Sequence, residues 1–307
     1  MAAVHDPLTT EEILAKLSRH SGAVEAAARM ERVLLLDETD STNRVLLQMA
    51  ADGAPGGQVV IADAQTAGRG RLGRSFTSPP GMGLYLSYLF RCDTAAAPAA
   101  DDASPAKSAR AVPVPDLLRL TAHTAVAASA AVEQVSGLCP GIKWVNDLLL
   151  PDASSGQLKK ICGILAQSQT AGDAGLSALV LGIGINVHET SADFPAELRE
   201  IAASLRMAGA EHVSRSALAA ELILAMDAIA ELYTADDSET DAGVSAESLL
   251  ERYRAHSLLP GRDITVIRGE TKKSAHALSV EEDYALRVRY EDGREELLRS
   301  GDVTLRF

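Results

Sequence analysis

Gln65-Thr66-Ala67-Gly68-Arg69-Gly70-Arg71-Leu72-Gly73-Arg74 sets three arginines among three glycines within ten residues. How this stretch is read decides the fold. Gly68, Gly70 and Gly73 satisfy the spacing G-x-G-x-x-G. In a dinucleotide-binding fold that spacing must open a helix at once, so that the helix N-terminus faces a pyrophosphate. Here the chain continues Ser75-Phe76-Thr77-Ser78-Pro79-Pro80, which cannot open a long helix. The β-branched run Gln58-Val59-Val60-Ile61-Ala62 precedes the stretch, and Gly83-Leu84-Tyr85-Leu86-Ser87-Tyr88-Leu89-Phe90 follows it. It therefore reads as a loop between two strands. Its glycines permit conformations and close approaches that a Cβ would block. Its guanidiniums are permanently charged forks shaped for carboxylate or phosphate oxygens. A solvated loop with no task is the plain alternative; a cationic loop in an acidic chain is a candidate for gripping a small anion.

The chain has 307 residues, enough for one large domain and a small one. Hydrophobic residues make up 47% but aromatics only 4%, so the core must be built from Leu, Val, Ile and Ala. A formal net charge of −13 argues against a general nucleic-acid binder, which needs a basic face. It leaves room for a local basic pocket. Cys92, Cys139 and Cys162 are widely spaced and odd in number, which points to a reducing cytoplasm. No C-x-x-C or H-E-x-x-H occurs, so a structural zinc site is not expected. No apolar run reaches membrane-spanning length, and the N-terminus carries no secretion signal.

Taken in order, Thr9-Thr10-Glu11-Glu12 signals a helix start, and residues 1–31 form a short helical segment. Val33–Leu36 reads as a strand and Arg44–Ala50 as a helix, with Ser41-Thr42-Asn43 between them either capping the helix or facing a ligand. Residues 93–113 are rich in Ala, Asp and Pro without periodicity and read as a disordered insertion. A long helix follows from Leu117, with Leu118, Ala122, Val126, Ser129 and Val132 on one face. Gly141–Leu150 reads as two strand pieces around a polar Asn146-Asp147, and Gln157–Gln167 and Ala178–Val187 as strands. Glycines inside the last of these mark a close approach by a ligand or another chain segment. Asn186, ending an apolar run, needs a hydrogen-bond partner. Helices are expected at Ala196–Leu205, Arg215–Tyr233 and Ser245–His256. After Leu259 the texture changes to short alternating strands with an Asp292-Gly293 hairpin turn. The organisation expected is a domain at 32–258 and a small all-β domain at 259–307.

Five motifs stand in one order: Asp40-Ser41-Thr42-Asn43, Gln65 to Arg71, Lys143-Trp144-x-Asn146-Asp147, Lys160-x-x-Gly163-Ile164-Leu165 and Gly182-Ile183-Gly184-Ile185-Asn186. Together they resemble the biotin protein ligases, also called biotin–[acetyl-CoA-carboxylase] ligases or holocarboxylase synthetases. The resemblance covers about residues 33–190, and the C-terminal part is similar to the family's SH3-like domain. It implies an α+β fold: a mixed, mainly antiparallel sheet flanked by helices, of the class II aminoacyl-tRNA synthetase-like kind, with a small C-terminal SH3-like β-barrel. It also implies a ligase that makes biotinyl-5′-AMP from biotin and ATP with Mg2+. That adenylate passes to a lysine of a biotin carboxyl carrier protein domain. A lipoate or octanoyl ligase or transferase of the same fold is the alternative.

By the same resemblance, Ser41, Thr42, Asn43 and Gln65 hold the ureido ring, with Arg69, Gly70, Arg71, Lys160 and Gly163 also at the biotin site. Arg71, Arg74, Phe76, Asn146 and Asn186 fall to ATP. Lys160, Arg71 and Asp147 are the catalytic candidates, and the metal ligands are left unassigned. Strand alternation sets Lys159 on the face opposite Lys160, in solvent. Two departures stand out: Val145 where the family usually has Pro, and Gln167 where an acidic residue is common. About thirty residues precede the first strand, too few for the winged helix of some relatives, so DNA binding is not expected. The protein is expected in the cytoplasm, as a monomer or homodimer, away from membranes.

Overall fold

The computed structural model describes residues 6–92, 117–170, 176–234 and 243–305. The insertion expected at 93–113 lies outside them. Two helices come first, α1 (Thr10–Ser21) and α2 (Ala23–Met30). Thr9 caps α1 by accepting from the Glu12 N–H, as its sequence suggests. The apolar runs then become one large sheet: β1 (Val33–Thr39), β2 (Val59–Gln65), β3 (Gly83–Arg91), β4 (Gly141–Lys143), β5 (Asp147–Pro151), β6 (Leu158–Thr170) and β7 (Leu176–Asn186). The strand order is β1-β2-β3-β7-β6-β5-β4. β1 and β2 are parallel, joined through helix α3 (Thr42–Ala51), and the other neighbours are antiparallel. This is the mixed, mainly antiparallel sheet expected.

Alternation along the strands divides the sheet into two faces. On one, Leu84, Leu86, Tyr88 and Phe90 join the main core beneath α1, α4 (Leu117–Ser136) and α5 (Arg215–Thr234). On the other, Val60, Leu89, Ala178 and Val180 pack under Leu46 and Ala50 of α3. α3 covers only part of this second face, and the remainder forms the floor of a cleft.

After α6 (Ala246–His256) come β8 (Asp263–Arg268), β9 (Thr271–Val280), β10 (Leu286–Tyr290), β11 (Glu295–Leu298) and β12 (Asp302–Leu305). They form an antiparallel sheet in the order β11-β10-β9-β8-β12. Asp292-Gly293 turns β10 into β11, with Gly293 at φ +81°. The single tryptophan ties the two sheets together, its indole donating to Tyr284 O at 2.8 Å.

One expected helix is absent. Ala196–Leu198 makes a single 3-10 turn, and the chain beyond runs extended beside β6. Lys160 N–H donates to Ile201 O at 2.8 Å, and Ala203 N–H to Lys160 O at 2.9 Å. Pairing with a strand has overridden a helix-compatible sequence. Among the described residues, no helix is long and apolar enough to cross a membrane.

A buried polar cluster lies where β7 runs out. Arg215 donates to Asp63 Oδ1 at 2.6 Å, and the His188 ring meets Asp6 at 2.8 Å. Glu189 beside them is 1% exposed, and neither carboxylate oxygen has a hydrogen-bond partner among the described residues. Burial pushes its carboxyl from 4.5 up to about 7, with Asp193 adding to the effect. A raised carboxyl binds its proton more tightly in the folded chain, so stability falls as pH rises from 4.5 through 7. The displacement is worth roughly 3 kcal/mol once complete. Glu189→Gln is therefore expected to raise the thermal midpoint at pH 8 and to leave it nearly unchanged at pH 4.5. Equal effects at both pH values, read by calorimetry, would show that Glu189 is not the titrating group.

Candidate functional site

The glycine-arginine stretch folds as a tight hairpin between β2 and β3. Phe76 N–H donates to Gly68 O at 2.9 Å and Gly70 N–H to Arg74 O at 2.7 Å. Its tip, Arg71-Leu72-Gly73, is one 3-10 turn with Leu72 at φ 56° and Gly73 at φ 75°. No helix opens here, which excludes a dinucleotide fingerprint. Gly68 must be glycine, since a Cβ there would lie 2.4 Å from Phe76 O.

The hairpin overhangs the uncovered face of the large sheet and encloses a cleft of about 480 Å3, counting its open mouth. Eleven of the expected residues line it: Ser41, Thr42, Asn43, Gln65, Arg69, Gly70, Arg71, Phe76, Asn146, Lys160 and Gly163. Asp147, Arg74 and Asn186 lie outside this lining. Asp147 stands just behind it, 2.7 Å from Lys160 Nζ. Arg74 reaches away to Asp302. The Asn186 amide donates to Ala203 O at 2.9 Å, which satisfies the partner its burial required.

Bare backbone makes the floor. A Cβ on Gly182 would sit 2.1 Å from Asn43 Oδ1, one on Gly184 2.7 Å from the Phe76 ring, and one on Gly163 2.8 Å from Lys160 Nζ. The glycines in β7 thus admit side chains of this same chain, Asn43 and Phe76, onto the strand. Lys160 reaches Gly163 through a register shift: Leu148 faces Cys162, but Leu149 faces Lys160. Ile161 is the extra residue of a bulge, and a bulge re-aims the side chains around it.

Polar groups gather at the α3 end. Ser41 occupies the N-cap position without a side-chain cap bond, so plain capping is not its role. Gln65 Oε1 accepts from Thr42 N–H at 2.9 Å, and Gln65 Nε2 donates to Ser78 at 2.9 Å. Cations gather at the other end. Arg71 donates to Asn146 Oδ1 at 2.7 Å and to Gly301 O at 2.9 Å. Lys143 Nζ lies 3.9 Å from Asp147, and burial lowers its ammonium, partly offset by that carboxylate. Among the described residues, no three His, Cys, Asp or Glu side chains gather as a metal site.

Lys159 corrects an expectation. It does face away from Lys160, but into the protein: it is 8% exposed and donates to Arg199 O at 2.8 Å. The 3-10 turn at Ala196–Leu198 brings that carbonyl across the strand. Two contributors were missed. Ser87, buried beneath α3, could have been noticed as the hydroxyl inside the apolar run Leu84–Phe90. Gly301-Asp302, which grips Arg71 and Arg74 from the small sheet, had no local signal at all.

A family model described as the biotin/lipoate A/B protein ligase family matches residues 35–186. The chain is 31% identical over 244 residues to the biotin–[acetyl-CoA-carboxylase] ligase of Mycobacterium tuberculosis, covering 78% of this chain and 79% of that protein. It is 33% identical over 197 residues to the bifunctional ligase/repressor BirA of Bacillus spizizenii, covering 64% of this chain and 53% of the relative. The chain thus spans about half the length of the Bacillus relatives. In fold it is similar to the biotin protein ligase from Aquifex aeolicus in complex with biotin and ATP, with a TM-score of 0.67, 23% identity, and coverage of 89% of this chain and 98% of that one.

The hold of Asp302 on the hairpin can be tested directly. Asp302→Ala removes the carboxylate that Arg74 and Arg71 share, at 3.8 Å from the latter. Tryptic cleavage after Arg71 and Arg74 is expected to quicken at least about threefold, while global stability changes by less than about 1 kcal/mol, as for other exposed ion pairs. An unchanged cleavage rate would show that the hairpin is held by other contacts.

Proposed function

The chain belongs to the biotin/lipoate A/B protein ligase family and, within it, to the biotin protein ligases, and on that premise we propose that it joins biotin to a carrier protein at the expense of ATP. In the first step a carboxylate oxygen of biotin attacks the α-phosphorus, the bond to pyrophosphate breaks, and biotinyl-5′-AMP forms. In the second the amine of an acceptor lysine attacks the carbonyl of that mixed anhydride, AMP leaves, and the amine loses a proton. The acceptor is a lysine of a carboxylase's biotin carboxyl carrier domain.

The observation that carries this reading is the polarity of one cleft. Ser41, Thr42 and Gln65 crowd one end, Lys160 and Arg71 the other, and Phe76, Tyr85 and Leu165 supply apolar lining. Biotin has the same sequence of parts: a polar cyclic urea, an apolar body and a carboxylate. A few oriented polar groups in an otherwise apolar slot suffice to align such a ligand. Lys160 and Arg71 offset the repulsion between carboxylate and phosphate and the charge that builds as they meet. No covalent enzyme nucleophile is required. The hairpin shields the anhydride from water until the lysine arrives.

Mg2+ fits this donor set, since it is held by one or two protein oxygens together with nucleotide phosphates. Asp147 and Asn146 would hold it, and it would neutralise phosphate charge. Arg74 and Asn186, which lie outside the cleft lining, are assigned to the nucleotide by the family resemblance.

Biotin-dependent ATP–pyrophosphate exchange by the purified chain tests the proposal. Exchange is expected with biotin and Mg2+ and none with lipoate or octanoate; the reverse preference would overturn it. Two lysine variants refine the test. Lys160→Ala is expected to slow exchange at least about 100-fold, the scale of one charged transition-state contact. Lys159→Ala is expected to keep exchange within a few-fold but to lose about 1–3 kcal/mol of stability, because Arg199 O and Asp152 would lose their buried cation. If Lys159→Ala is folded and inactive, the assignment of Lys160 is wrong.

A further inference from the structure

Ser87 has no exposed surface, yet carries a hydroxyl in the middle of β3. Its Oγ lies 2.6 Å from Asn43 Oδ1 and 2.8 Å from Thr42 Oγ1. One hydroxyl has one proton, so only one of these bonds can be donated by Ser87. A backbone carbonyl, which can only accept, fixes the direction. Asn43 Nδ2 donates to Leu165 O at 3.2 Å and to Gln167 Oε1 at 2.8 Å. The amide oxygen of Asn43 therefore faces Ser87, and it too can only accept. Ser87 must give its proton there.

The 2.8 Å pair between Ser87 and Thr42 then needs its proton from Thr42, since two lone pairs would otherwise face each other. Gln65 Oε1 could also accept, but it lies farther from the Thr42 hydroxyl, at 3.2 Å, and a proton given there would leave the shorter Ser87–Thr42 pair without one. Thr42 has spent its only proton inside the protein, and what its oxygen can offer the cleft is a lone pair.

We propose that Ser87 is a positioning residue that sets the Thr42 hydroxyl as an acceptor toward the cleft, so that this end of the site selects a ligand presenting an N–H. The proposal rests on the biotin reading, in which the cyclic urea supplies that N–H. Ser41, whose hydroxyl makes no cap bond, is the neighbouring group free to donate to the urea oxygen.

The relay runs in one direction, from β6 through Asn43 and Ser87 to Thr42, and its seat is built across three strands. Ser87, Gly182 and Leu165 are register partners along one row of β3, β7 and β6. Gly182 leaves the space Asn43 fills. Gln167 also finds its explanation here: the relay needs an acceptor oxygen at this position, which an amide supplies as well as a carboxylate does.

The test compares Ser87→Ala and Ser87→Thr with the wild-type chain in ATP–pyrophosphate exchange, using biotin and an analogue methylated on a ureido nitrogen. Ser87→Ala is expected to raise the KM for biotin about tenfold, the scale of one buried hydrogen bond. The KM for ATP should stay within about twofold and kcat within about threefold, a split that general damage to the fold would not produce. Freed from the relay, Thr42 can donate again, so the wild-type preference for biotin over the methylated analogue should shrink at least about fivefold. Ser87→Thr, which keeps the hydroxyl, should restore both values. If Ser87→Ala does not fold, Ser87→Cys, a weaker donor of similar size, takes its place in the same comparison. Unchanged KM and preference overturn the proposal. No exchange by the wild-type chain overturns the biotin reading, and the proposal with it.

Discussion

The absence of side chains at Gly163, Gly182 and Gly184 is the constraint on which the rest of this site depends. Each glycine lies beneath a side chain that a Cβ would displace: Lys160, Asn43 and Phe76. With the strands bare, the first turn of α3 settles onto the sheet and the hairpin after β2 folds down over it. With methyl groups there, both would have to lift. A two-ended cleft follows from this seating, its polar end brought by α3 and its cationic end by the hairpin and the bulged β6.

Charge is managed locally in a chain of net charge −13. Three cations near the cleft have a protein anion or carbonyl at hand: Lys160 has Asp147, Arg74 has Asp302, and Arg71 has Asn146 and Gly301 O. Such pairs lie near the surface, where Coulomb attraction is modest. A polyphosphate, with more charge and more acceptor oxygens, can take these donors over. The small sheet thereby reaches the chemistry, because two of the hairpin's arginines are held from β12 and the residue before it.

Much of the site was legible because its residues lie in short, chemically dense motifs. Eleven expected residues share one cleft, and the rejection of a dinucleotide fold needed only the prolines after the hairpin. The failures were those of distance. Ala196–Leu205 has the composition of a helix, but a strand edge at Lys160 was available to pair with its end. Lys159 was rightly turned from Lys160 by alternation, yet what lay on that other face was a carbonyl about forty residues away.

The sequence by itself determined the strands, the Thr9 cap, the loop between β2 and β3 and the chemical kind of each group at the site. Those are properties of neighbouring residues: periodicity, turn chemistry and side-chain charge. Only the tertiary structure decided which oxygen donates and which accepts around Thr42, that Ser87 and Gly182 carry Asn43, and that Asp302 holds two arginines more than two hundred positions before it. A hydrogen bond's direction depends on every partner in the chain of bonds, and those partners come from β3, β6 and α3, which meet only when the sheet has formed.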